Sequence, residues 1–367
     1  MKVAVITMHS VYNYGSQLQV LATQEKLKQY FKEVEFIDYR REDTYGKGLI
    51  KTFAKGSIIR YIAFIPTYIK WQKLFKRFQK KYLKISNEKY LKLDDFNNFH
   101  DKYDIYITGS DQVWNTGWNN GILPPYYLSF VKNKPKYSYS ASFGLNKLEK
   151  HEIPKIKEYL SEYKRISVRE DTGLNILKKQ LKIDNAERIL DPTLVMPRQF
   201  WEKYSKKNKI KGKYILVYNL NNNKEFDNYA KKLEEKSGIR VYRFCTRYDQ
   251  LIKYGRPIII PEVTDFITLI KDAEYVLTDS FHATAFAINM HTHPICIYPK
   301  KYSNRLSDFL KLVKCESKCK VESYNDFSIL EEKIDYKKTD EILEKERVKV
   351  DIYLQKILED IKWKRIN

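Results

Sequence analysis

Residues 274–290 read EYVLTDSFHATAFAINM, a stretch in which an apolar run changes directly into a helical pattern. Residues 275–278 predict a buried strand, and a helix is predicted to begin immediately afterwards. Asp279 or Ser280 is placed to cap that helix, so His282 falls in its first turn beside backbone N–H groups without helical partners. The junction therefore predicts an anion-binding position, although ordinary capping with a structural histidine is the alternative.

The same alternation of short apolar runs and longer helical runs continues along all 367 residues, which predicts an α/β fold. A chain of this length exceeds one ordinary core, so we expect two domains. We place them at residues 1–160 and 161–330, followed by a C-terminal helical segment at 331–367. Two open parallel sheets in tandem predict a cleft between them, with ligands bound beyond the carboxyl ends of the strands.

The individual elements follow from the same patterns. Strands are predicted at residues 2–7, 34–38, 103–108, 136–141, 165–168, 188–190, 214–219, 240–245, 275–278 and 295–298. Helices are predicted at residues 16–31, 58–82, 151–163, 170–181, 224–237, 264–272, 281–290, 303–313 and 332–364.

Two more polar loops follow predicted strands. HSVYNYGSQLQ at 9–19 predicts a turn at Gly15, with Ser16 as the cap of a helix that starts at Gln17. TGSDQVWN at 108–115 combines a Gly-Ser turn with a dense set of polar and aromatic groups. Both loops are also compatible with ordinary turns. The candidate acceptor or cleft residues are Asn13, Tyr14, Gly15, Gln17, Ser110, Asp111, Gln112, Trp114 and Asn115.

Half of the net charge of +22 lies in residues 44–87, which contain eleven Lys or Arg and no acidic residue. This basic, amphipathic insert is compatible with a solvated helical face, an anionic membrane surface or a nucleic-acid backbone. Pro66 is expected to break a long helix near Ile65. For the membrane interpretation, the side chains expected to insert are Phe53, Phe64, Trp71 and Phe75.

Several classes of protein are excluded or disfavoured. No run approaches the ~20 apolar residues of a spanning helix, and the N-terminus predicts a strand instead of a signal peptide. Four irregularly spaced cysteines indicate free thiols in a reducing cytosol. The absence of G-x-G-x-x-G, Walker, H-E-x-x-H and G-x-S-x-G motifs argues against a nicotinamide enzyme, an ATPase and a zinc hydrolase.

An ordered set of motifs resembles the polysaccharide pyruvyl transferase family. The matching stretches are NYGSQLQ, VEFIDY, YDIYITGSDQVWN, YYLSFV, YSYSASFG, ISVRED, LDPTLV, YILVY, AEYVLTDSFHATAFAIN and SNRLSDFLKL, between about residues 3 and 313. The resemblance implies two Rossmann-like domains facing each other, as in GT-B glycosyltransferases. It also implies transfer of a pyruvyl group from phosphoenolpyruvate to a sugar as a cyclic ketal, with no metal and no cofactor.

The resemblance also implies roles for particular residues. His282 matches the catalytic histidine, with Asp279 beside it, and Arg169 in SVRED matches the arginine that binds the donor. Some members carry arginine two residues before the histidine, where this chain has Ser280, and we place Ser280 and Arg305 with Arg169 among the candidate donor-binding residues. Either Arg305 or a lysine such as Lys300 then takes its place, or the donor differs.

We therefore expect a cytoplasmic pyruvyltransferase of surface-polysaccharide or cell-wall assembly. Its acceptor sugar could be lipid-linked and met at the inner face of an anionic membrane, and no nucleic-acid partner is expected. One alternative is a GT-B-type glycosyltransferase that uses a nucleotide-sugar. Another is a non-catalytic protein that binds an anionic glycolipid, against which the polar strand-end loops argue.

Overall fold

The computed structural model describes residues 1–221, 223–300 and 303–366, which form two compact units. The first unit comprises Met1–Ala63, Lys76–Val195 and the chain from Lys345 to the end of the described residues. The second comprises Phe64–Phe75 and Met196–Glu344.

The first unit contains a seven-stranded sheet in which every pairing is parallel. Its strands are β1 (Lys2–Ile6), β2 (Glu33–Tyr39), β3 (Ile85–Tyr90), β4 (Ile105–Thr108), β5 (Lys136–Ser138), β6 (Tyr163–Val168) and β7 (Ala186–Arg188). The strand order is β3-β2-β1-β4-β5-β6-β7. The order reverses between β1 and β4, where Val3 lies opposite Ile105. Open sheets of this type bind ligands beyond such a reversal.

Helices connect these strands. They are α1 (Tyr14–Leu27), α2 (Gly46–Ala54), α3 (Ile58–Tyr82), α4 (Thr116–Asn119), α5 (Ile153–Ser161), α6 (Asp171–Asn175, continued by a π-helical turn at Ile176–Gln180) and α7 (Pro192–Val195). Short 3₁₀ turns lie at Glu42–Thr44, Leu93–Asn98 and Pro124–Tyr127. Residues 3–6 of β1 are fully buried, as expected for a parallel strand with both faces covered.

The second unit contains a five-stranded parallel sheet in the order β10-β9-β8-β11-β12. Its strands are β8 (Ile215–Tyr218), β9 (Val241–Cys245), β10 (Arg256–Ile259), β11 (Tyr275–Thr278) and β12 (His293–Cys296). Its helices are α8 (Arg198–Glu202), α9 (Lys224–Ser237), α10 (Asp265–Lys271), α11 (Phe281–Asn289), α12 (Asn304–Leu312) and α13 (Glu316–Cys319), with 3₁₀ turns at Tyr248–Ile252 and Ser328–Leu330. The order reverses between β8 and β11, so both sheets have the Rossmann-like arrangement that we predicted.

The predicted domain boundary near residue 160 is wrong, because β6 and β7 continue the first sheet. The first unit extends to Val195. The predicted C-terminal segment is mostly the helix α14 (Tyr336–Ile366), which both units share, with the division at 344/345. The last residue of the predicted segment lies outside the described residues.

Each of the ten predicted strands has a counterpart, although β7 lies two residues earlier than predicted. β3 and β10, which form one edge of each sheet, were not predicted. Their sequences, ISNEKY and RPII, are short of buried apolar residues because an edge strand has a neighbour on one side alone.

The basic insert forms α2, α3 and the start of β3, and the predicted break at Pro66 is wrong. Pro66 lies inside α3, which runs from Ile58 to Tyr82. A proline costs a helix interior about 3 kcal/mol, so tertiary packing must compensate. The flanking rings supply such packing: Phe64 contacts Trp71 edge-on at 5.5 Å, and the Trp71 indole donates to the Thr246 carbonyl at 2.6 Å.

The expectation that these aromatic side chains insert into a membrane is also wrong for three of the four. Phe64, Trp71 and Phe75 are at most 8% exposed, because they fill the packed face of α3. Phe53 is half-buried. Among the helices in the described ranges, none has both the length and the apolar character needed to cross a membrane.

Candidate functional site

The loop after β11 lies where the strand order of the second sheet reverses. Ser280 has extended backbone angles and its hydroxyl accepts from the Ala283 amide at 3.4 Å, so Ser280 is the cap of α11. Thr284 returns a hydrogen bond to the Ser280 carbonyl at 3.0 Å. Of the two predicted caps, Ser280 is confirmed. Asp279 instead binds the loop after β8.

The Asp279 carboxylate joins the ends of β8 and β11. It accepts four hydrogen bonds, from the amides of Leu220 (2.8 Å) and Asn221 (2.9 Å) and from the side chains of Asn219 (2.9 Å) and Asn221 (2.8 Å). Burial raises the pKa of Asp279 above its usual range, and these hydrogen bonds oppose the shift. A carboxylate held in this way positions the loop. A catalytic role for Asp279 stays a prediction.

His282 and Arg305 both contact the ring of Phe281. The imidazole of His282, which is 7% exposed, meets that ring edge-on with 5.2 Å between centroids. The Arg305 guanidinium lies over the same ring, 5.9 Å from its centroid. A titratable ring and a permanent cation thus lie near the N-terminus of a nine-residue helix, whose dipole also favours an anion.

All four cysteines are free and buried, and burial raises the pKa of Cys245 to about 11 and of Cys296 to about 12. Such thiols stay protonated near neutral pH and are poor nucleophiles. Between residues 1–221, 223–300 and 303–366, no cluster of three His, Cys, Asp or Glu side chains could hold a metal ion.

Arg169, which we predicted as a donor ligand, follows β6 in the first unit and is surrounded by carboxylates. Its Nη1 lies 2.6 Å from Asp191 Oδ2, its Nη2 3.1 Å from Asp111 Oδ1, and its Nε 3.6 Å from Glu170 Oε2. Burial acts to lower the pKa of Arg169, but the carboxylates of Asp191, Asp111 and Glu170 outweigh it and raise that pKa.

The carboxylates around Arg169 are themselves hydrogen-bonded. Ser16 donates to Asp111 at 2.7 Å, and Ser142 donates to Glu170 at 2.8 Å. Arg169 and its three acids carry a net charge of −2 when ionised, one positive against three negative. A guanidinium that already lies against three buried carboxylates has those contacts engaged within the protein, so they favour a structural role for Arg169 over the predicted one.

The first predicted loop begins its helix earlier than expected. Asn13, not Ser16, caps α1, because its side chain accepts from the Ser16 amide at 3.1 Å. Tyr14 and Gly15 consequently lie in the first helical turn. Gln17 is buried and donates to the carbonyls of His9 (2.6 Å) and Val11 (3.0 Å). This loop is therefore held by its own polar groups.

The second predicted loop is also engaged internally. Ser110 donates to the Ser140 carbonyl at 2.7 Å. Asn115 caps α4 by accepting from the Trp118 amide at 2.9 Å, and it donates to Gln112 at 2.6 Å. A tight buried loop needs such partners for its backbone donors and acceptors.

The prediction that Trp114 faces an acceptor is wrong. Its side chain is fully buried in the hydrophobic core of the first unit. It stacks on Tyr127 with 5.9 Å between centroids, and its indole donates to the Tyr126 carbonyl at 3.3 Å. An indole enclosed in this way is a packing residue.

A buried polar group that sequence reasoning missed lies at the ends of β1 and β2. His9 Nε2 lies 2.9 Å from Asp38 Oδ1, and Arg40 binds both Asp38 oxygens at 2.6 and 2.9 Å. Burial acts to raise the pKa of Asp38, but the hydrogen bonds from His9 and Arg40 outweigh it and lower the pKa to about 2. The one available signal was a histidine two residues after the first predicted strand.

Comparisons with known proteins agree with this architecture. A family model described as polysaccharide pyruvyl transferase matches residues 13–301. No curated protein matches the sequence.

The solved structures that resemble the fold include the following two. A putative UDP-N-acetylglucosamine 2-epimerase from Listeria monocytogenes has a TM-score of 0.51 at 10% identity, over 94% of this chain and 90% of that chain. A UDP-GlcNAc 2-epimerase from Methanocaldococcus jannaschii, in complex with UDP-GlcNAc and UDP, has a TM-score of 0.50 at 13% identity, over 95% and 94%. At these identities the likeness concerns the fold alone, and the predicted GT-B-like α/β fold is confirmed.

Proposed function

Because this chain belongs to the polysaccharide pyruvyl transferase family, we propose that it transfers a pyruvyl group from phosphoenolpyruvate to a sugar of a surface polysaccharide or glycan precursor. The product is a cyclic ketal, and the observation that carries the proposal is the junction of β11 and α11. There His282 lies in the first turn of a helix at the reversal of strand order, and Arg305 contacts the same ring.

The chemistry needs one group that both donates and accepts a proton near neutral pH. Protonation of the methylene carbon of phosphoenolpyruvate leaves an oxocarbenium-like centre at C2, which a sugar hydroxyl attacks with loss of its proton. The bond between C2 and the phosphate oxygen then breaks and releases inorganic phosphate. A second hydroxyl of the same sugar attacks C2, loses its proton and closes the ketal. An imidazole can both donate and accept a proton near neutral pH, and we assign these proton transfers to His282.

The donor carries a phosphate and a carboxylate, so its site needs cations and N–H groups. The N-terminus of α11 offers the N–H groups and the positive end of the helix dipole. Arg305, whose guanidinium lies over Phe281, is our candidate for the phosphate in a chain that has Ser280 in place of arginine. Asp279 helps to position this site because its carboxylate binds the loop after β8.

The acceptor residues stay part of the proposal. Asn13 and Gln112, both partly exposed, lie in strand-end segments of the first unit next to its reversal of strand order, whereas Tyr14 is buried in the first turn of α1. Polar and aromatic side chains in such loops are suited to sugar hydroxyls. We propose a cytoplasmic enzyme without a cofactor, with phosphoenolpyruvate and a saccharide as its two substrates.

The test is to incubate the purified full chain with phosphoenolpyruvate and candidate saccharides. We expect inorganic phosphate to be released only with a suitable acceptor, together with a new methyl signal of the ketal by proton NMR. Consumption of a nucleotide-sugar with glycoside formation would instead favour the glycosyltransferase alternative. Binding of glycolipid without turnover of either donor would favour the non-catalytic alternative.

A further inference from the structure

The N-terminal part of α3 presents apolar side chains to solvent. Ile58, Ile59 and Ile62, which we call the isoleucine patch, are 76%, 77% and 61% exposed. Their spacing places them on one face of the helix, whereas the packed face of α3 is filled by aromatic side chains such as Phe64. A helix of a globular protein normally carries polar residues on the face turned away from its core, so this patch is a candidate contact surface.

Exposed cations lie close to the isoleucine patch in the sequence. Lys47 and Lys51 project from α2, Lys55 ends that helix, and Arg60 lies within the patch in sequence; all four are exposed. No acidic residue occurs between residues 44 and 87. Apolar side chains accompanied by cations complement a bilayer surface that contains anionic lipid.

We propose that the isoleucine patch and its neighbouring lysines dock the protein on an anionic membrane surface. The isoleucines enter the boundary between headgroups and acyl chains, and the lysines bind the lipid phosphates. In this proposal the isoleucines enter the membrane in place of the buried aromatic side chains of α3. The proposal does not depend on the proposed reaction.

Two other occupants fit the patch less well. A nucleic-acid backbone would be met by the cations, but it offers nothing to three exposed isoleucines. A second copy of this chain, joined through the same face, would bring the two sets of lysines against each other. A bilayer satisfies both the charge and the apolar surface.

The test is sedimentation of the full chain with vesicles of phosphatidylcholine, with and without phosphatidylglycerol. We expect binding to the mixed vesicles and little to phosphatidylcholine alone. Binding should weaken in about 0.5 M salt, where the Debye length falls to a few ångströms, without being abolished. Equal binding to both vesicles, or none to either, overturns the proposal.

Matched variants separate the two contributions. Ile58→Ser with Ile62→Ser should weaken binding about tenfold, whereas Ile252→Ser, at a residue 92% exposed in the second unit, should not. The double variant Lys47→Glu with Lys51→Glu should also weaken binding about tenfold. The control Lys207→Glu with Lys209→Glu changes the net charge equally and should weaken binding less. Equal losses in the controls would show general electrostatic attraction and overturn the proposal.

A direct readout does not depend on affinity. Because all four native cysteines are buried, Ile62→Cys can be labelled selectively with a polarity-sensitive dye. We expect its emission to report an apolar environment on mixed vesicles, and that of labelled Ile252→Cys to stay aqueous. The proposal is overturned if the signal at residue 62 stays unchanged on mixed vesicles. It is also overturned if the signal changes with protein concentration in the absence of lipid, because that change indicates contact with a second copy.

Discussion

In the first unit, the Nη1 atom of Arg169 lies 2.6 Å from the Oδ2 atom of Asp191, and each side chain is 1% exposed. Asp191 also accepts from the Thr193 amide at 2.9 Å, which ties the ion pair to the start of α7. Because Asp111 and Glu170 lie close to the same guanidinium, Arg169 is the central cation of a buried acidic cluster. This arrangement determines what its removal should do.

We predict that Arg169→Ala lowers the free energy of unfolding by about 3–5 kcal/mol, because it removes a buried cation that pairs with three buried carboxylates. Urea unfolding measures the change. The control is Lys213→Ala, which removes the cation of an exposed pair with Glu274 and should cost at most about 1 kcal/mol. A stable Arg169→Ala protein with a strongly raised KM for phosphoenolpyruvate would restore the donor-binding role.

For His282 we predict a catalytic loss without a loss of fold. His282→Ala and His282→Gln should lower phosphate release by roughly 10²–10⁴-fold, which is the usual contribution of a positioned acid–base group. His151→Ala, at an exposed histidine of the first unit, should leave the rate unchanged. Near-normal turnover in both His282 variants, with unfolding midpoints like the parent's, would remove His282 from the mechanism.

Asp38 should make stability depend on acid pH. Its pKa is lowered from 3.8 to about 2, so its pairing contributes about 2 kcal/mol above pH 4. That contribution is lost as the pH falls from about 4 towards 2, because protonation of the carboxyl ends its pairing with His9 and Arg40. We expect the difference in unfolding free energy between the parent and Asp38→Asn to shrink by about 1 kcal/mol from pH 5 to pH 3. A difference independent of pH would contradict the assignment.

We also predict that a chelator leaves turnover unchanged. The proposed donor site relies on the N-terminus of α11 and on Arg305 for the anionic groups, and no metal is needed for either contact. Phosphate release should be equal before and after treatment with EDTA. Inhibition that a single divalent ion reverses would count against this mechanism.

The sequence alone predicted the fold class and the β11–α11 junction. Both depend on residues that are neighbours in the chain: an apolar run buried on both faces predicts a parallel strand, and a polar residue after it predicts a cap. The cap at Ser280 and the first-turn position of His282 follow from such local rules. The same local rules did not predict the edge strands β3 and β10, because a strand covered on one side alone needs no apolar run.

The tertiary structure alone decided what the polar residues contact. Two of the three acids around Arg169, Asp191 and Asp111, lie 22 and 58 residues away in the sequence, so no local pattern could distinguish an anion ligand from the centre of an acidic cluster. Trp114 read as a loop residue, yet the core of the first unit encloses it. In α3, packing of aromatic side chains outweighed a proline and left the isoleucines exposed. The chain pattern determines which elements form, whereas burial and charge balance between distant residues determine which side chains remain available for function.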